Sequence, residues 1–204
     1  MPARNTIRED VPASFYHVYS RGVSKLPIFL DGRDYAYFMG LFARYLSNKP
    51  AVSKDGYPYP HYRDMVELNA FCLMSNHFHL MLYQYDKGDT ALFMKSLISS
   101  YTRYFNLRHK RTGPLFETRY KASRITSDHY LMHISRYIHL NPRYYKQYAY
   151  SSITNYADHS KYEWLTSGPV LELFSSPQAY KDFCDDYVER RDVLAQAKAE
   201  LANL

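Results

Sequence analysis

Residues 65–85 read M-V-E-L-N-A-F-C-L-M-S-N-H-F-H-L-M-L-Y-Q-Y. Two apolar runs, Met65 to Met74 and His77 to Tyr85, flank the pair Ser75-Asn76. Strand-like runs joined by two turn-forming residues predict a β-hairpin. Along a strand, successive side chains point to opposite faces. His77 and His79 therefore share one face, with Cβ atoms about 7 Å apart. Phe78, Leu80 and Leu82 take the other face and anchor the strand in a core. Two neutral imidazoles on a rigid strand suit a metal ion. The same H-x-H spacing also fits ordinary polar positions on a half-exposed strand, so the rest of the chain has to decide.

Working outward from the hairpin, Phe15 to Arg21 alternates and is rich in aromatic residues, which reads as a strand ended by Gly22. Asp31-Gly32-Arg33-Asp34 reads as a turn, with Asp34 capping a helix over about residues 35–47. Residues 48–63 form a loop by their Pro and Gly breakers. After Asp86-Lys87-Gly88-Asp89, Thr90 is placed to cap a helix of about 91–107. A strand over 120–125 and a helix over 128–141 follow, the helix capped by Ser127 and stopped by Pro142. The first six elements give the βαββαβ order of a ferredoxin-like antiparallel sheet, an α/β (α+β) fold with an added helix after the last strand. Residues 1–155 form the main domain in this reading. Residues 156–204 form a helical extension packed on it, with an amphipathic helix over 177–200.

Composition narrows the function. The 204 residues are 46% hydrophobic and 23% charged, normal for a globular chain. No apolar run reaches the roughly 18 residues that span a bilayer. The first residues lack an apolar signal segment, and the only cysteines, Cys72 and Cys184, are far apart. The expected compartment is the cytoplasm, in association with the nucleoid, with no membrane partner. The chain has 23 Tyr and a net charge of +6. Residues 100–146 hold ten Lys and Arg (Arg103, Arg108, Lys110, Arg111, Arg119, Lys121, Arg124, Arg136, Arg143, Lys146) against Glu117 and Asp128, a local charge of +8. Residues 169–204 hold four basic and seven acidic residues, a local charge of −3. A basic stretch interleaved with tyrosines suits a nucleic-acid backbone, with rings available to unpaired bases.

A third group near the histidines comes from the helix at 128–141, which contains R-Y-I-H-L-N-P at 136–142. Tyr137 and Asn141 are four residues apart and share a face with His133. Either this face carries chemistry, or Tyr137 packs with a satisfied hydroxyl and Asn141 caps the helix end.

S-N-H-F-H-L-M-L at 75–82 resembles the His–hydrophobic–His motif of the single-tyrosine HUH transposase superfamily. Y-I-H-L-N-P at 137–142 resembles the tyrosine helix of its branch of REP-associated tyrosine transposases. Y-H-V-Y-S-R-G at 16–22, Y-F-N at 104–106 and G-P-L-F-E-T-R-Y-K-A at 113–122 add to the likeness, in the family's order, over about residues 14–155. The resemblance implies a transposase and endonuclease acting on single-stranded DNA at REP-like hairpin elements. It implies Tyr137 as nucleophile through a 5′-phosphotyrosine intermediate, and His77, His79 and Asn141 as ligands of Mg2+ or Mn2+. Arg21 and Lys25 after the first strand, with Arg119, Lys121 and Arg124 near the last, are expected on the DNA phosphates, in a monomer or homodimer. Two other readings stand beside it: a domesticated hairpin-binding protein without productive transposition, and a structured-RNA-binding ferredoxin-like domain.

Overall fold

A computed structural model describes residues 9–156 and 162–188. Its regular elements are β1 (Ser14–Arg21), α1 (Gly32–Leu46), β2 (Val66–Met74), β3 (His77–Gln84), α2 (Asp89–Arg108), β4 (Lys121–Ile125), α3 (Asp128–His139) and the short α4 (Gly168–Leu171). Residues 177–188 are also helical. The strands form one sheet in the order β2-β3-β1-β4, and every neighbouring pair is antiparallel. This is the ferredoxin-like arrangement expected from the element order.

Both faces of the sheet are used. On one, Val18, Leu68, Phe71, Phe78, Leu80 and Leu82 meet Phe38, Leu41 and Phe42 of α1 and Phe93, Leu97 and Tyr101 of α2 in a fully buried core. On the other, Ala70, Cys72 and Met81 meet Ile134 and Ile138 of α3, together with Tyr156, Val170, Tyr180 and Cys184. A bulge at Asn69 makes the double use of β2 possible, because the β2–β3 register shifts between Leu68 and Ala70. The extra residue lets Val66, Leu68, Phe71 and Leu73 all face the first core although their spacing changes parity. The outer edge of β2 is covered as well. Leu73 donates its N–H to the Tyr150 carbonyl and Thr166 donates to that of Leu68, both at 2.9 Å.

Several helix ends depart from the sequence reading. Asp31, not Asp34, caps α1: its carboxylate accepts from the amides of Arg33 (2.9 Å) and Asp34 (3.3 Å). Asp34 lies fully buried inside the first turn, where it accepts from the Leu30 amide at 2.8 Å and takes both Arg108 and His109 from the end of α2. It ties two helices together, a role that local capping rules do not reveal. The second helix starts at Asp89, because Gly88 at φ +94° supplies the left-handed turn before it. Thr90 is inside the helix, and its amide donates to Gln84. Ser127 caps α3 as expected, accepting from the Tyr130 amide at 3.2 Å. That helix ends at His139 rather than at 141. The helix expected over 177–200 is seen over 177–188; the remainder lies outside the described residues.

His139 is fully buried in the second core, bonded through Nδ1 to the Tyr180 hydroxyl (2.6 Å) and through Nε2 to Ser152 Oγ (2.7 Å). Burial pushes its pKa down to about 3.

Two predictions concern the cores. Phe78 stands between the two histidines of β3 and touches Phe38 and Phe116 across the first core. Phe78→Ala is expected to cost about 3–5 kcal/mol, measured by urea unfolding; a loss under about 1 kcal/mol would contradict its anchoring role. For His139, the folded pKa lies below the unfolded value, so the unfolded chain binds more protons between about pH 3 and 6.5. Stability is therefore expected to be full above pH 6.5 and to fall as the pH drops through that window. A urea midpoint that stays flat from pH 7 to pH 4.5 would contradict this.

Candidate active site

In an antiparallel pair, residues directly opposite each other share a face. Tyr19 of β1 lies opposite both His79 of β3 and Lys121 of β4, Arg21 opposite His77, and His17 opposite Ser123. These residues occupy the sheet face away from α1 and α2. The third helix covers only part of that face, which leaves a cavity of about 540 Å³ walled by the strands and by Ile134 and Tyr137.

The histidines are held by named partners. His77 Nδ1 lies 2.7 Å from Asn76 Oδ1, and the Asn76 amide nitrogen donates to the Lys25 carbonyl at 3.1 Å. Asn76 thus offers its oxygen to His77, so Nδ1 carries the proton and Nε2 a lone pair. Asn141, two residues past the end of α3, donates its amide nitrogen to the Tyr137 carbonyl at 3.0 Å. This turns Asn141 Oδ1 toward His77 Nε2, 3.5 Å away. Two acceptors facing each other at that distance repel unless a cation or a proton lies between them. Asn141 therefore both caps the helix end and presents an oxygen to the histidines. His79 Nδ1 lies 2.9 Å from His17 Nε2, which leaves the His79 Nε2 free of that contact. The His77 and His79 rings are 5.1 Å apart and nearly perpendicular.

Electrostatics keeps these imidazoles neutral. Burial, reinforced by coupling to the neighbouring His17, His77 and Arg21, holds the His79 pKa far below the usual histidine range. Burial pushes His17 down to about 4. Burial also lowers His77, and the Asn141 contact only partly opposes it. Neutral rings have the free lone pairs that a metal needs. Among the described residues, no group of three or more His, Cys, Asp or Glu side chains is arranged to hold a metal ion. The donor set that fits a divalent cation is two imidazole nitrogens with one amide oxygen.

Tyr137 projects from α3 over this set. It is 51% exposed, its ring 5.4 Å from His79 and 5.7 Å from His17, edge-on to both. An exposed phenol beside neutral histidines is accessible to a substrate. Arg136, the residue before it, faces the other way, its guanidinium 3.9 Å from the Phe183 ring and 4.4 Å from that of Tyr187. The helix is thus gripped from behind while Tyr137 faces the cavity. His133 is occupied by Arg136 and by His129 rather than by the β3 histidines.

The basic residues divide. Arg21, Arg119 and Lys121 line the cavity. The segment before β4 is pinned there, because Glu117 donates its N–H to the Arg21 carbonyl (3.0 Å) while Leu115 and Phe116 are buried in the first core. Gly22 permits the neighbouring turn: a Cβ at this position would lie 2.2 Å from the Leu26 carbonyl oxygen. Lys25 lies in that turn, exposed and outside the cavity wall. Arg124 lies opposite Tyr16, hence on the other sheet face, and reaches Glu9 at 3.6 Å.

Two residues of the site escaped the sequence reading. His17 was legible as part of a strand, but its place beside His79 depends on the register between strands 60 residues apart. Asn76 read as a turn residue, and its hold on His77 follows from the side-chain geometry of that turn. The only sequence signal for His17 was a polar residue in the alternation His17, Tyr19, Arg21.

Residues 61–141 match the family described as transposase, IS200-like. That segment contains His77, His79, Tyr137 and Asn141, the residues on which the motif resemblance rests. No curated protein matches the chain. Among solved structures, the fold is similar to that of a REP-associated tyrosine transposase bound to a REP hairpin, with a TM-score of 0.53 and 14% identity, over 80% of this chain and 91% of that one.

Proposed function

We propose that the protein is a metal-dependent nuclease and strand-transfer enzyme that nicks and rejoins single-stranded DNA at REP-type hairpins. The observation that carries this reading is the convergence, in one basic cavity, of an exposed Tyr137 with two neutral histidines and the Asn141 oxygen. The hairpin bound by the structural relative supports the same substrate class here.

In this reading His77, His79 and Asn141 would hold Mg2+ or Mn2+, which when bound would supply Lewis-acid polarisation of the scissile phosphate. A phenol is a weak nucleophile at neutral pH, so it needs both that polarisation and correct placement. The Tyr137 oxygen attacks phosphorus, and the bond from phosphorus to the 3′ oxygen breaks. The electron pair leaves on that oxygen, which takes up a proton and becomes a free 3′-hydroxyl. The phenolic proton is lost to solvent, and the strand is held as a 5′-phosphotyrosine. Attack by a 3′-hydroxyl reverses these bond changes and rejoins DNA without hydrolysis. Arg21, Arg119 and Lys121 contact phosphates, which fixes register without reading bases. Lys25 extends this path at the rim, and Arg124, on the opposite face, is left out of it. Both histidines, the asparagine and the tyrosine come from one chain, which supports a site complete in the monomer.

The test is incubation with a single-stranded oligonucleotide carrying a REP-type hairpin. A covalent protein–DNA adduct is expected with Mg2+ or Mn2+, abolished by chelation and by Tyr137→Phe. An adduct that persists in Tyr137→Phe would overturn the assignment. Tight hairpin binding with no cleavage by the native chain would favour the binding-protein reading instead.

A further inference from the structure

His17 is a buried polar residue on β1 with no role in the reading above. It is 8% exposed, its Nε2 lies 2.9 Å from His79 Nδ1, and its ring is nearly parallel to those of His79 (21°, centroids 5.1 Å apart) and Tyr19 (29°, 5.3 Å). The Tyr137 ring meets it edge-on at 5.7 Å. One proton is shared along the line between the two histidine nitrogens, and its position decides what His79 offers to the cavity. If His79 donates from Nδ1, its Nε2 carries a lone pair. If His17 donates, His79 Nε2 carries a hydrogen and binds no cation. Three cations, Arg21, Arg119 and Lys121, line the cavity against one acid, Glu117, and Arg21 acts electrostatically on His79. A lone pair directed into such a donor-rich, positive space is favoured over an N–H.

We infer that His17 is a positioning residue that accepts the Nδ1 proton of His79 and so fixes that ring with its Nε2 lone pair toward the site. The inference rests on the metal reading for its consequence, though not for its geometry. A partner on the far nitrogen of a ligating histidine sets its tautomer and orientation, and its loss typically weakens metal binding about 10–100-fold. The arrangement parallels that of His77, whose Nδ1 is held by Asn76. Each histidine of β3 thus has one nitrogen held by the protein and one directed to the site. Contacts of the His79 ring with both His17 (centroids 5.1 Å apart) and Tyr19 (5.7 Å) also limit its rotation.

The test reads the tautomer directly, in the full chain without metal, by long-range proton–nitrogen correlation spectra of the histidine rings. His79 is expected in the Nδ1–H form in the native chain and in His17→Gln, whose amide oxygen can accept the same proton. It is expected to shift to a mixed or Nε2–H form in His17→Phe, which keeps the ring's bulk. A native His79 in the Nε2–H form, or an unchanged Nδ1–H form in His17→Phe, would overturn the inference. Circular dichroism confirms that each variant is folded. Mn2+ titration of the same samples is expected to show at least a 10-fold loss of affinity in His17→Phe and its recovery in His17→Gln. If the native chain binds no Mn2+, the metal reading fails, and the tautomer spectra still decide the role of His17.

Discussion

The antiparallel register of β1 on β3 is the constraint on which the site depends. With Tyr19 opposite His79, the alternation of side chains sends Phe78, Leu80 and Leu82 into the core under α1 and α2. The same alternation raises His77 and His79 on the far face beside His17 and Arg21. A slip of one residue would exchange the two sets, burying imidazoles among phenylalanines and exposing the apolar side chains. The energy that holds the core therefore also holds the histidines. The rings need no dedicated scaffold, because each is placed by a strand buried on its other side.

The second face of the sheet is divided between packing and chemistry. Over β2 and part of β3 it is closed by α3, Tyr156 and the helix at 177–188, which form an apolar core. Over β1 and β4 it stays open, and the cavity lies there. Tyr137 stands on the boundary. The residues around it on α3 take opposite roles: Arg136 and His139 bind the helix to Phe183, Tyr180 and Ser152, while Tyr137 and, beyond the helix end, Asn141 face the histidines. Residues near the end of the described chain thus reach the site through the helix they grip. Asn141 joins the two halves, since the amide that closes the end of α3 through its nitrogen presents its oxygen to β3.

What could be read from the sequence followed from local rules. Alternation in β3 gave the faces of His77, Phe78 and His79 without any knowledge of the partner strand. Ser127 was legible as a cap because capping involves only the residues that follow it. Asp34 was not, because its carboxylate is claimed by Arg108 and His109, 74 and 75 residues away. The bulge at Asn69 was hidden because the run from Val66 to Met74 is apolar at most positions, and a parity change leaves no mark in such a run. Arg124, three residues after Lys121, falls on the opposite face of β4, which became plain only once β4 was paired with β1. His17 shows the limit most clearly: its strand was recognised, but its partner was set by register.

Under the proposed function, the opposed acceptors His77 Nε2 and Asn141 Oδ1, with His79 Nε2, seat a divalent cation. Anomalous diffraction from crystals soaked in Mn2+ tests this most directly. One strong peak is expected within about 2.0–2.3 Å of all three atoms, lost in His79→Ala. No peak between them, or a peak bound only elsewhere on the surface, would contradict it.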